Sequence, residues 1–194
     1  MARPKQYDRS DVALRAMQRF WQHGYYASSI RDLVAATGVN RHGLYGEFGD
    51  KRGLFVAAVE AYCEAVVTPA FAAVEAPGAG WKEIRAYFEH QIALAESVGL
   101  PGPGCLLANT MVESGPHEAL FQALVEAHLE RLERGFRQAL AGVAASPADA
   151  ERWAAFLVVS TQGLWSYSRT TARAEPLRAY VEQLLLAVER GVGA

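Results

Sequence analysis

"SIRDLVAATGVNRHGLYGEF", residues 29–48, reads as two short helices joined by a glycine turn, the second carrying glycines at 43 and 46. An interior helical glycine costs about 1 kcal/mol relative to alanine. Two of them in one short helix need an offsetting gain, and close approach of the backbone to something large would supply it. Ser28 or Ser29 can cap the first helix, which turns Ile30, Leu33 and Val34 inward and ends at Gly38. Asn40 can cap the second, whose buried side is Leu44 and Phe48.

Upstream, Val12, Ala13, Ala16, Met17, Phe20 and Trp21 form the inner face of a helix from about Arg9 to His23, stopped by Gly24. Downstream, Asp50 caps a long helix with Leu54, Phe55, Val59, Tyr62, Val66, Ala70 and Phe71 on its stripe. "APGAG" at 76–80 and "GLPGPG" at 99–104 are the clearest breaks. Between them, Trp81, Ile84, Phe88 and Ile92 mark a fifth helix. A short sixth follows Pro103, a seventh runs from about His117 to Ala141, an eighth is capped near Ser146, and Pro176 opens a ninth. Alternating runs of β-branched residues, internal repeats and low-complexity tracts are absent, so the chain is expected to be all-α.

The net charge of −2 conceals a segregation. Residues 1–55 hold nine basic and five acidic side chains, whereas the remaining 139 hold 10 basic and 16 acidic, so the two parts are suited to different partners. Cys63 and Cys105 form neither a disulfide framework nor a zinc-site spacing, which suits a reducing compartment. The polar start "MARPKQYDRSD" lacks a signal-peptide centre, and no apolar run approaches the roughly 20 residues that span a bilayer, so a cytoplasmic protein with no membrane partner is expected.

Helix, glycine turn and helix, preceded by a third helix and a basic arm, is an arrangement that places one helix in the major groove while another braces it. The stretch "GYYASSIRDLVAATGVNRHGLYGEFGDKRGLF" resembles the amino-terminal domain of the TetR family of one-component transcriptional repressors, through Gly24-Tyr25, Gly38-Val39, Leu44-Tyr45, Phe48, Lys51 and Leu54-Phe55. "FGDK" and "GCLLANT" at 104–110 resemble a subgroup, while Val34 and Thr37 stand where alanines are usual. The resemblance implies a three-helix helix-turn-helix domain over 1–50 and a larger helical ligand-binding and dimerisation domain over 51–194. It also implies a duplex DNA operator, a small-molecule effector and no cofactor, metal or catalytic residue.

On that reading Arg41 and His42 reach base edges, and an arginine bidentate to guanine supplies about 1–3 kcal/mol of discrimination. Gly43 and Gly46 let the backbone approach DNA. Tyr45 and Lys51 are phosphate ligands, with the helix start behind Lys51 adding its amides. Ser28, Ser29 and Asn40 are candidate contacts as well as candidate caps. Arg3 and Lys5 either touch DNA or form a solvated arm, and Arg15 and Arg19 read as helix-surface charges.

In the larger half the inward-facing candidates for an effector are Tyr62, Phe71, Phe88, Cys105, Asn109, His128 and Trp165, an apolar set with a few polar groups. Cys63 points the same way. Each of these also fits a plain core role. Cys105 follows "PGPG" at a helix start, where amides and the helix dipole can lower a thiol pKa, so it is either a reactive sensor or an inert buried thiol. Trp153, Phe156, Leu157, Val158, Val159, Leu164, Trp165 and Tyr167 spread around most of the eighth helix, and the surface expected to cover them is a second copy, giving a homodimer through the last two helices. An enzyme built on Cys105 and a histidine is the alternative class, but no phosphate loop, H-E-x-x-H or nucleophile elbow accompanies it. A protein-interaction module on the same helical fold is a third.

Overall fold

The computed structural model describes residues 7–114 and 118–192. Arg3, Lys5 and His117 lie outside the described residues. Every element described is helical: α1 (Arg9–His23), α2 (Ile30–Thr37), α3 (Arg41–Phe48), α4 (Lys51–Glu75), α5 (Trp81–Val98), α6 (Leu106–Ser114), α7 (Ala119–Leu140), α8 (Pro147–Ser168) and α9 (Glu175–Val192).

Caps set the register of the first four helices. The Asp8 carboxylate accepts from the amides of Ser10 and Asp11, Ser29 forms a reciprocal capping box with Asp32, and Asn40 and Asp50 accept from Gly43 and Gly53. α2 ends at Gly38, whose φ of 73° is the left-handed conformation that a glycine adopts without strain. Thr37, bulkier than alanine, is absorbed by hydrogen bonding: its hydroxyl donates to the Leu33 carbonyl at 2.7 Å and accepts from the Val39 amide at 3.3 Å. Arg15 donates to the Thr37 carbonyl and Arg19 pairs with Asp32, so these surface arginines brace α1 against α2.

α4 is α-helical to Tyr62, takes a π turn over Cys63–Val67 and returns to α over Thr68–Glu75. By length and composition it could cross a bilayer, with a mean hydropathy of 1.5 over its most apolar window, contrary to the expectation from its sequence. Its apolar face is instead spent on the core: Leu54, Phe55, Ala58 and Tyr62 pack into one cluster, Phe71 and Val74 into another. The first cluster joins α1–α4 to Cys105, Leu106, Leu107, Ala108 and Phe121, so it continues past residue 50. The second lies among α4, α5, α7, α8 and α9 around Phe88, Phe136, Leu157, Leu184 and Val188.

α8 divides its apolar residues between inside and outside. Leu157, Val158 and Leu164 are buried, whereas Phe156, Val159 and Tyr167 are 42%, 70% and 50% exposed. Tyr167 joins Gly163, Leu164, Pro176, Leu177 and Tyr180 around an open groove of about 370 Å³ between α8 and α9.

Candidate functional site

α3 presents two faces. Leu44 and Phe48 are buried, while Arg41, His42 and Gly46 are exposed and Tyr45 is half-buried. Positions 41 and 45, and 42 and 46, are each four apart, so they form two adjoining rows on the outward side of the helix. The Arg41 guanidinium lies 5.1 Å from the centre of the Tyr45 ring, and this stacking aims both polar ends along the helix surface.

The two glycines differ. A Cβ at Gly46 would meet nothing within 4 Å, so that position is bare toward the outside. A Cβ at Gly43 would lie 2.7 Å from Val39 Cγ1 and 3.2 Å from the Tyr7 hydroxyl, which itself donates to the Gly43 carbonyl at 3.2 Å. Packing within the chain is therefore one reason for Gly43 to be small.

Ser28 also needs correcting. It is fully buried, and its hydroxyl donates to the Gly24 carbonyl at 2.7 Å, leaving it out of reach of a phosphate. Ser29 and Asn40 are exposed but engaged as caps. The Lys51 ammonium rests 4.2 Å from the Tyr25 ring centre, and partial burial lowers its pKa while Glu113 opposes that.

Besides the shared apolar cluster, polar contacts tie the helical half to α1, the α1–α2 loop and the start of α4. The Trp21 indole donates to the Gly104 carbonyl at 2.7 Å. The Glu113 carboxylate accepts from the amides of Tyr25 and Tyr26 at 2.9 and 2.7 Å. Arg52 pairs with Glu118 at 2.9 Å. Gly24, with φ 83°, adopts backbone that strains any other residue, and a Cβ there would push on the Glu113 carboxylate, one oxygen of which lies 2.7 Å from its position.

A buried cavity of about 20 Å³, room for roughly one water, is walled by Tyr62, Cys105, His128 and Trp165 together with Tyr87, Gln91 and Thr161. Four of the seven expected effector residues thus converge. The other three do not. Phe71 and Phe88 pack on Tyr87 and Phe136 in the second core, with Phe71 against Gly135, and the Asn109 amide donates to the Pro103 carbonyl at 2.8 Å to hold the loop before α6. Tyr87, Gln91 and Thr161 were missed, although Gln91 and Thr161 carried a signal as polar residues on otherwise apolar helical stripes.

Cys105 behaves as a packed thiol. The amides of Ala108 and Leu107 and the Tyr62 hydroxyl do favour its thiolate, but burial outweighs them and raises its pKa. Burial likewise raises Tyr62 and Tyr87, and lowers His128 to about 4. The described residues contain no cluster of His, Cys, Asp and Glu able to hold a metal.

Comparison with known proteins agrees with this architecture. Residues 15–58 match the amino-terminal model of the bacterial regulatory proteins of the tetR family, and residues 80–184 match a tetracyclin repressor-like carboxy-terminal domain. The chain is 32% identical over 141 residues, 72% of each chain, to YezE of Bacillus subtilis (strain 168), an uncharacterized HTH-type transcriptional regulator. It is 50% identical over 62 residues to the HTH-type transcriptional repressor ComR of Escherichia coli (strain K12), a match covering 32% of this chain and 30% of ComR. A cysteine mutant of the TetR-family regulator CifR, solved with 26-base-pair operator DNA, superposes with a TM-score of 0.85 at 26% identity, covering 95% of this chain and 99% of that one. Domain matches at both ends and a relative similar over most of its length place this chain in the TetR family of DNA-binding transcriptional regulators.

Proposed function

We propose that the chain is a repressor that binds a palindromic operator as a homodimer and leaves it when a small molecule occupies the cavity of the helical half. The observation that carries this reading is the outward face of α3, where Arg41, His42, Tyr45 and the bare Gly46 stand together on a capped helix behind a glycine turn. Arg41 and His42 read base edges, while Tyr45, Lys51, Ser29 and Asn40 position the backbone. The exposed Phe156, Val159, Tyr167 and Tyr180 on α8 and α9 supply a self-complementary apolar surface for the twofold partner. The unit works in the cytoplasm, where its DNA is, with 1–50 as the reading domain and 51–194 as the sensing and dimerising one.

Cys105 is buried, and its raised pKa favours a reversibly bound effector over a covalent electrophile. The fusion of the first core with α6 gives such an occupant a mechanical route to α3. Selection from random duplexes with the purified protein tests the reading. It is expected to return a palindrome bound by a dimer, with affinity falling steeply as salt rises. Tight binding of a monomer to an unrepeated half-site would refute it.

A further inference from the structure

We propose that the effector is a small uncharged molecule, an aromatic alcohol or phenol in class, anchored through its hydroxyl by His128 inside the cavity between α4, α5, α7, α8 and Cys105 just before α6. The proposal deepens the effector reading above and rests on it. His128 is only 7% exposed, lines the cavity, and its Nδ1 is sealed from solvent without a hydrogen-bond partner among the described residues. Folded proteins rarely leave such an atom unsatisfied, because it forfeits its hydration without a replacement. Other polar groups of the wall have neighbours of their own: the Tyr87 hydroxyl lies near Gln91 and Thr161, the Tyr62 hydroxyl near Cys105 and the Leu106 backbone, and the Thr161 hydroxyl donates to the Leu157 carbonyl at 2.8 Å. Among the described residues, His128 Nδ1 is the one fully buried polar atom of this lining without a partner, and one hydroxyl on a ligand would supply it.

The charge of the site excludes ions. No carboxylate, ammonium or guanidinium lines the cavity. The tyrosines, the thiol and the imidazole are all held in their neutral forms by burial. Arg131, one turn beyond His128, is committed to Glu75 at 2.7 and 2.6 Å and to Thr68 at 3.0 Å. A buried anion or cation would lose its hydration and find no free counter-charge. Tyr62, Tyr87 and Trp165 instead offer ring faces, and Val66, Val67 and Leu132 offer apolar wall.

A room of about 20 Å³ admits a hydroxyl but not the rest of such a ligand. Trp165 is also a wall of a second cavity of about 20 Å³, on whose far side stand Trp21, Leu94, Pro103 and Gly104. Displacing the Trp165 indole joins the two. The ligand ring then lies beside the Trp21 indole and the Gly104 carbonyl it bonds, which is where the sensing half grips α1.

The test uses the full chain without DNA, titrated with phenol, benzyl alcohol, toluene, benzoate and benzylammonium, with tryptophan fluorescence and calorimetry as readouts. Phenol or benzyl alcohol is expected to saturate at millimolar concentration, toluene to bind roughly tenfold more weakly, the loss expected for one hydrogen bond, and the two ions not to bind. His128→Leu and His128→Phe are expected to erase the preference for the alcohol over toluene. In the wild type, the Nδ1 resonance of His128 should shift with the alcohol and not with toluene, a readout independent of whether either variant folds. Preference for benzoate or benzylammonium, equal binding of toluene and the alcohol, or no saturable binding by any neutral probe would overturn the proposal. Operator release is measured separately. An alcohol that binds at His128 yet leaves the selected operator bound would sink the effector reading, whereas release by ions alone would sink only the ligand class.

Discussion

Gly46→Ala separates what α3 needs to fold from what it needs to read DNA. In the free protein the added methyl has open space, because a Cβ there meets nothing within 4 Å, and the position is exposed within an eight-residue helix. Relieving an interior glycine stabilises a helix by about 0.5–1 kcal/mol. In a chain of this size that corresponds to a melting temperature higher by about 1–4 °C. On the operator the sign reverses. If the outward rows of α3 enter the groove, each methyl of the dimer intrudes where backbone and base edges meet, and overpacking of that kind costs about 1–3 kcal/mol per site. Affinity for the selected operator should fall by about 5- to 150-fold per half-site, with little change on unrelated duplex. Gly43→Ala is the control, since its methyl meets Val39 Cγ1 at 2.7 Å and should destabilise the fold itself. Denaturation curves and fluorescence anisotropy on the same preparations give both numbers. A Gly46→Ala protein that melts higher and binds its operator like the wild type would show that this face of α3 does not face DNA.

Arg41→Ala should relax base preference at one position and cost about 1–3 kcal/mol, whereas Tyr45→Phe should weaken binding to all sequences alike, both read from competition against substituted operators. Glu113→Gln leaves two amides, of Tyr25 and Tyr26, sharing one acceptor; unfolding free energy in urea should drop by about 1 kcal/mol, and an unchanged value would remove Glu113 from the interface. His128, held neutral with a pKa of about 4 against 6.5 when unfolded, contributes stability that is complete above pH 6.5 and lost as pH falls toward 4. The loss amounts to about 3 kcal/mol, and His128→Leu should flatten that part of the pH–stability curve. Cys63, half-buried, should be alkylated by iodoacetamide before the buried Cys105, and the reverse order, read by mass spectrometry, would restore Cys105 as a sensor.

What could be read from the residues was local. Ser29, Asn40, Asp50 and Ser146 cap the helices whose starts they mark, and Gly24 and Gly38 end theirs, because caps and left-handed glycines act over one turn of chain. The cavity was half legible. His128 declared itself as a lone polar residue on the stripe of α7, and Gln91 on α5 carried the same mark. Phe71 and Phe88 were indistinguishable from cavity aromatics, since periodicity gives the face of a helix and not the neighbour it meets. The packing role of Gly43 was hidden for a related reason: nothing in the sequence says that Tyr7 and Val39 converge on it.

The division of the chain into an amino-terminal and a carboxy-terminal domain is clearer in sequence than in packing. α6 belongs to both: Cys105, immediately before it, walls the cavity, Leu106 and Leu107 are buried with Phe20 and Leu33 of the first three helices, and Glu113 near its end holds the amides of Tyr25 and Tyr26 just before α2. A rod of nine residues fixed at both ends transmits displacement with little compliance, because close-packed interiors do not absorb it. On the proposed reading, motion of Trp165 or Cys105 to admit a ligand would bear on α1 through the Trp21–Gly104 bond and on the approach to α2 through Glu113. A ligand biases this linkage only by the difference in its affinity for the two positions of α6. A cavity too small for its ligand in one position and open in the other supplies that difference directly. On the proposed reading, the tightness of the site as it stands would belong to the DNA-binding position, and a ligand would favour the other.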